Sequence, residues 1–215
     1  MSARPAAPGD LAPLANVTGI VLAGGRSSRF GSDKLVAELD GRPLLHHAIE
    51  ALAAVTERIV VVAAPDANPN LPGGLDARVR IVHDPEPFGG PLAGLAAGLA
   101  AVETATALVV GGDMPRMVPA VLRRLATTTG PTRPAVHLEI PGRLHPLPMA
   151  VDVEAAGQSA VVVLGRGDRA LRELLAELHA VAIPALVWLV LDPRAATIVD
   201  VDRPADLGSA RRPGT

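Results

Sequence analysis

The feature that most constrains this chain is a set of short apolar runs with no polar break. "RIVVVAA", Arg58 to Ala64, is the clearest; Val17 to Ala23 and the "ALVVGG" that runs up to Asp113 are of the same kind. A strand with one wet face alternates apolar and polar residues, whereas a continuous β-branched run fits a strand buried on both faces. Between these runs lie stretches with apolar residues at helical spacing. Pro43 to Val55 is one, with Pro43 suited to a first helical turn. Pro91 to Glu103 is another, with Leu92, Leu95, Leu99 and Val102 on one stripe, and Val118 to Ala126 is a third. This alternation predicts an α/β fold of three layers, in which helices cover both faces of a mostly parallel sheet.

"RVRIV", Arg78 to Val82, reads as a further strand. The second half is less regular. "RPAVHLEI" and "LPMAVDV" flank a Pro/Gly turn and are predicted to pair as a hairpin. Asp168 to Leu178 reads as a helix with Asp168 as its N-cap. "ALVWLVL" and "TIVDV" read as late strands. No repeat and no linker divides the chain, so a single domain over 17–207 is expected, after a disordered extension over 1–16 and before a flexible tail over 208–215.

Composition narrows the function. The chain has 215 residues, 49% of them apolar but only 1% aromatic, so its core must be built from Ala, Val and Leu. Scarce aromatics argue against stacking platforms for single-stranded nucleic acid. A formal charge of -2 gives no global basic field, so an anion site must be local. The absence of cysteine excludes disulfides, thiolate metal sites and cysteine nucleophiles. Leu92 to Val102, the longest near-continuous apolar run, is too short to span a bilayer. The first residues have no apolar signal region, and a cytoplasmic location is the expectation.

The first strand runs into "IVLAGGRSSRFGSDK", Ile20 to Lys34. In a parallel sheet, ligands bind beyond the carboxyl ends of the strands, where this loop begins. Gly24 and Gly25 let backbone N–H groups approach an anion, and Arg26, Arg29 and Lys34 add full positive charge. The spacing is neither that of a Walker A loop nor the G-x-G-x-x-G dinucleotide fingerprint. By residue chemistry alone the loop is either a polyphosphate cradle or a solvated turn with incidental charge.

"LAGGRSSRFGSDK" resembles the signature loop of nucleotidyltransferases with a glycosyltransferase-A-like fold, and its G-x-D-K ending is closest to the molybdenum cofactor guanylyltransferases. Five other stretches resemble that family in the same order: "LDGRPLLHHAIEAL", "IVHDPEPFGGPLAGLAAGL", "VVGGDMP", "RLHPLPMAVD" and "VDVDRPADL". Together they cover most of Val17 to Leu207. The resemblance implies transfer of GMP from GTP to the phosphate of molybdopterin, with Mg²⁺ as cofactor. Its implied partners are these small molecules and, transiently, other cofactor-synthesis or acceptor enzymes, with no nucleic acid and no membrane. A CTP-using relative is the alternative, and a non-catalytic nucleotide- or cofactor-binding protein is an alternative of another class.

The resemblance also implies roles. Leu22, Ala23, Gly24 and Gly25 would meet base and ribose through their backbone. Lys34 would follow the phosphoryl group as negative charge builds, with Arg29 on the β- and γ-phosphates and Asp33 holding the loop. Asp84 would face the nucleotide, beside a turn in which Pro91, Leu92 and Gly94 start a helix; Gly98 reads instead as a helix–sheet packing position. Asp113, at a strand's carboxyl edge, suits Mg²⁺, which takes few carboxylates plus phosphate oxygens and waters. Asp202 would be a second carboxylate near the metal. Asp200 and Asp202 stand where the family usually has asparagines, and Ala63 where many relatives have a polar residue. His145 is either a contact to the pterin or structural; His46, His47, His83 and His137 are assigned no chemistry.

Overall fold

The computed structural model describes residues 12–24, 37–75, 78–85 and 89–207. In chain order its elements are β1 (Leu14–Leu22), β2 (Glu38–Leu39), β3 (Arg42–Pro43), α1 (Leu44–Ala53), β4 (Thr56–Ala63), β5 (Val79–His83), α2 (Pro91–Leu99), β6 (Thr106–Gly111) and α3 (Pro119–Thr128). There follow β7 (Ala135–Leu138), β8 (Met149–Asp152), α4 (Val153–Gly165), α5 (Leu171–Glu177), β9 (Val181–Ile183) and α6 (Ala185–Trp188). Seven strands form one sheet in the order β5-β4-β1-β6-β8-β7-β9, while β2 and β3 form a separate small hairpin. Only β8 runs antiparallel to its neighbours.

The two faces of the sheet bury separate cores. Val21, Ile59, Val61, Leu108 and Val110 point to one side, where Ile49 and Leu52 of α1 and Val121 and Leu125 of α3 cover them. Ile20, Val60, Val62 and Val109 point to the other, under Leu92 and Leu95 of α2, Ala156 and Ala160 of α4 and Leu174 of α5. This is the three-layer arrangement that the continuous apolar runs require. Gly98 is the packing position expected: a Cβ there would lie 2.8 Å from Val62 Cγ2.

The hairpin expectation also holds, since β7 and β8 pair antiparallel. Four expectations need correction. The first strand begins at Leu14, so residues 14–16 belong to the sheet and not to an extension. The helix expected from Asp168 starts at Leu171, with Ala170 in the cap position and no side-chain cap bond. "ALVWLVL" is not a strand: its first four residues form α6 and the rest a turn. "TIVDV" is not one either: Ala196–Ile198 is a 3-10 turn, pinned where the Thr197 N–H donates to Asp192 Oδ2 at 2.7 Å and the Thr197 hydroxyl accepts from the Val118 N–H at 3.1 Å. α4 has no expected counterpart: its Val161-Val162-Val163 run looks strand-like, but its start is capped by Asp152, which accepts from the Ala155 N–H at 3.0 Å.

The α6 correction has a clear cause. A short apolar run does not distinguish strand from helix by itself. Here Glu139, at the end of β7, decides: its carboxylate accepts from the Ala185 N–H at 2.7 Å, and its carbonyl accepts from Trp188 Nε1–H at 3.0 Å. Trp188 is 2% exposed, whereas Leu186 is 87% exposed. Trp188→Ala should therefore destabilise the fold by about 3–5 kcal/mol, the usual range for emptying a buried aromatic site. Urea unfolding measures this; an unchanged midpoint would show that α6 is not part of the core.

Candidate active site

Three adjacent parallel strands end at the same level. Leu22 stands opposite Val62 on one side and Gly111 on the other. Beyond that level the Ala23 N–H donates to the Val62 carbonyl at 2.8 Å, the Gly112 N–H to the Leu22 carbonyl at 3.0 Å, and the Asp84 N–H to the Ala63 carbonyl at 2.9 Å. The strand order reverses at β1, which is followed in space by β4 on one side and β6 on the other. A carboxyl edge at such a switch point is where open α/β sheets bind ligands.

The expected residues divide around this edge. Leu22 ends β1 and Ala23 follows it, both half-buried; Gly24 is exposed, beside the backbone of Ala63 and Ala64. Gly25, Arg26, Arg29, Asp33 and Lys34 lie outside the described residues. The far foot of their loop is described: Ala37 accepts from the Leu44 N–H at 3.0 Å, and Asp40 in the β2–β3 turn is ion-paired with Arg116. Asp84 turns its carboxylate towards α2, with Oδ2 3.4 Å from where a Cβ on Gly94 would lie. Gly90, at φ 87°, makes the turn into α2, a backbone conformation that favours glycine. Pro91 is exposed at the helix start. Leu92 buries its side chain wholly in the core, and its N–H donates to the Arg169 carbonyl at 3.2 Å.

On the other side of β1, Asp113 is half-buried, and a Cβ on Gly111 would collide with its Oδ1. The carboxylate thus folds back over the strand end. The Val201 N–H donates to the Asp113 carbonyl at 3.0 Å, and Val201 is buried with Leu39 and Leu44. Asp202 is therefore one residue from the point of contact with Asp113, exposed. Among the described residues no group of three or more His, Asp or Glu side chains is arranged to hold a metal. Asp113 and Asp202 carry the hard oxygen donors that would suit Mg²⁺, which takes few protein ligands.

The MobA-like NTP transferase domain model matches residues 19–181. The chain belongs to this family. It is 36% identical over 197 residues, 89% of this chain and 91% of the relative, to a protein of Chloroflexus aggregans named a probable molybdenum cofactor guanylyltransferase. It is 35% identical over 76% of its length, and 78% of the relative's, to the molybdenum cofactor guanylyltransferase of Xanthomonas euvesicatoria. Among solved structures it resembles molybdopterin-guanine dinucleotide biosynthesis protein A from Archaeoglobus fulgidus, with TM-score 0.73, 22% identity and coverage of 90% of this chain and 96% of that one. A cytidylyltransferase acting on 2-C-methyl-D-erythritol 4-phosphate, from Thermus thermophilus, matches with TM-score 0.62, 18% identity and coverage of 89% and 95%. The fold is thus shared with these solved proteins.

In this MobA-like domain one pairing had no signal in the sequence. His145, just before β8, has a side chain only 15% exposed. Its Nδ1–H donates to the Leu147 carbonyl, and its Nε2 faces Asp200 Oδ2 at 3.9 Å, an ion-pair separation. The Asp200 carboxylate raises the His145 pKa above its ordinary value of 6.5, against the opposing effect of burial. His137, on β7, is shifted the other way, chiefly by burial. His47 is structural: it is buried in α1, and its Nε2–H donates to the Leu39 carbonyl at 2.8 Å.

A histidine whose folded pKa is raised stabilises the fold fully below its unfolded pKa, and that contribution is lost as pH rises through the folded value. In the metal-free protein Asp200→Asn should therefore cost stability just below pH 6.5, and the part of that cost due to His145 should vanish once the pH exceeds its raised pKa. A histidine NMR titration is the direct check. The His145 midpoint should fall in Asp200→Asn, and an identical midpoint would show that Asp200 does not hold the imidazolium.

Proposed function

We propose that this chain transfers GMP from GTP to the phosphate of molybdopterin, in the cytoplasm, and releases pyrophosphate. The observation that carries the reading is the meeting of Gly24, Asp84 and Asp113 at one carboxyl edge, around the single switch point of the sheet. The names of the relatives quoted above support it. An acceptor phosphate oxygen attacks the α-phosphorus, the bond to the bridging oxygen breaks, and its electron pair leaves with pyrophosphate. The acceptor is already an anionic nucleophile, so catalysis rests on in-line positioning and charge stabilisation.

Each side chain then has a task. Lys34 and Arg29, outside the described residues, bring cations to the phosphates. Asp84, against the start of α2, accepts from the N1–H and amine of guanine. Mg²⁺, held by Asp113 with Asp202 beside it, would neutralise charge on the departing pyrophosphate. Among the described residues no helix is long and apolar enough to cross a membrane.

Pyrophosphate release with each of the four nucleoside triphosphates, Mg²⁺ and molybdopterin tests this reading. A site built to accept two guanine donors leaves a buried acceptor unpaired with cytosine, so GTP should exceed CTP by at least about tenfold in kcat/KM. A preference for CTP would overturn the base assignment and keep nucleotidyl transfer; release with none would overturn both. Asp113→Asn should raise the Mg²⁺ concentration needed for half-maximal rate and lower the maximum by about a hundredfold, since a neutral amide is a poor ligand for a hard cation. An unchanged Mg²⁺ dependence and an unchanged maximum would remove Asp113 from the metal.

A further inference from the structure

The edge has two halves, and the nucleotide groups occupy only one. Gly24 follows β1, Asp84 follows β5 and Gly94 lies in α2, all on the β4 side of Asp113. In-line attack requires the acceptor phosphate to approach from the side opposite the leaving group. The other half of the edge is the carboxyl end of β6 and the segment leading into β8, whose first residue, Met149, stands opposite Val109. His145 lies in that segment. It is the one titratable side chain there that is at once mostly enclosed, bonded on one ring nitrogen and paired on the other.

We propose that His145 is a positioning residue that acts through Asp200 to set the acceptor side of the site. The Nδ1 bond to Leu147 orients the ring within its own segment, and the Nε2 ion pair fastens that segment to 199–202. The 199–202 segment is itself fixed to the centre of the edge by the bond from the Val201 N–H to the Asp113 carbonyl. The pair thus adds a side-chain tie between the acceptor side and the segment bonded to Asp113, whereas Asp84 follows β5, on the other side of β1. This inference rests on the nucleotidyl-transfer reading.

The test measures separate KM values for GTP and for molybdopterin in the full-length protein. His145→Asn keeps an amide near Nδ1 and loses the reach to Asp200; His145→Gln carries its amide near Nε2 and keeps that reach. His145→Asn and Asp200→Ala should each raise the acceptor KM about tenfold with the GTP KM within about twofold, and the double variant should be no worse than either, since the two residues act as one unit. His145→Gln should recover most of the loss. A general folding defect would move both KM values together and lower the thermal midpoint. Should His145→Asn not fold, Asp200→Ala, at a half-exposed carboxylate, carries the comparison. An unmoved acceptor KM, additive effects or a parallel change in both KM values would overturn the proposal. If the unaltered protein transfers no nucleotide, the nucleotidyl-transfer reading itself has failed, and this one with it.

Discussion

The register of β1 between β4 and β6 is the constraint on which the rest of the structure depends. A strand in mid-sheet must pair its backbone groups on both sides, because an unpaired buried N–H or carbonyl is costly. β1 does so over Val17 to Leu22 against β6 and over Thr18 to Leu22 against β4. A slip of one residue would turn Ile20 and Val21 to the wrong cores. With the register locked, the ends of β4, β1 and β6 come level, and Gly24 and Asp113 leave the sheet from adjacent strands at the carboxyl edge that Asp84 also borders.

A segment with no strand or helix of its own completes that region. Residues 199–202 are tied to Asp113 by a backbone bond, to Leu39 and Leu44 by the burial of Val201, and to His145 through Asp200. Asp206 holds the following turn, its Oδ2 accepting from the Asp202 and Arg203 N–H groups at 3.0 and 2.7 Å. The late part of the chain thereby closes over the hairpin that follows the glycine-rich loop. The Asp40–Arg116 ion pair links the same hairpin to the segment after Asp113. Loops joined in this way hold polar groups more firmly than their lack of regular structure suggests, because each contact is made to a different, rigid element.

Much of the fold was legible in the residues. The continuous apolar runs called for strands buried on both faces, and they are; the α1 and α2 patterns needed only trimming, and α3 runs two residues beyond its expected end. The reading failed where two structures share one pattern. Ala185 to Leu191 is as apolar as a buried strand, yet only Trp188 among its side chains is fully enclosed, and the Glu139 bonds that choose a helix come from a distant strand.

What the sequence determined by itself is the layered α/β class, the carboxyl-edge location of the glycine-rich loop and the family, because these follow from local periodicity and from a long, ordered set of short motifs. What only the tertiary structure decided is which residues from separate segments meet. Nothing local in "RLHPLPMAVD" or "VDVDRPADL" indicates that His145 faces Asp200, or that the Val201 N–H is spent on Asp113. Those contacts exist because β8 runs antiparallel beside β6 and brings the start of the acceptor half to the same edge, and antiparallel placement is a property of the assembled sheet rather than of any stretch of residues within it.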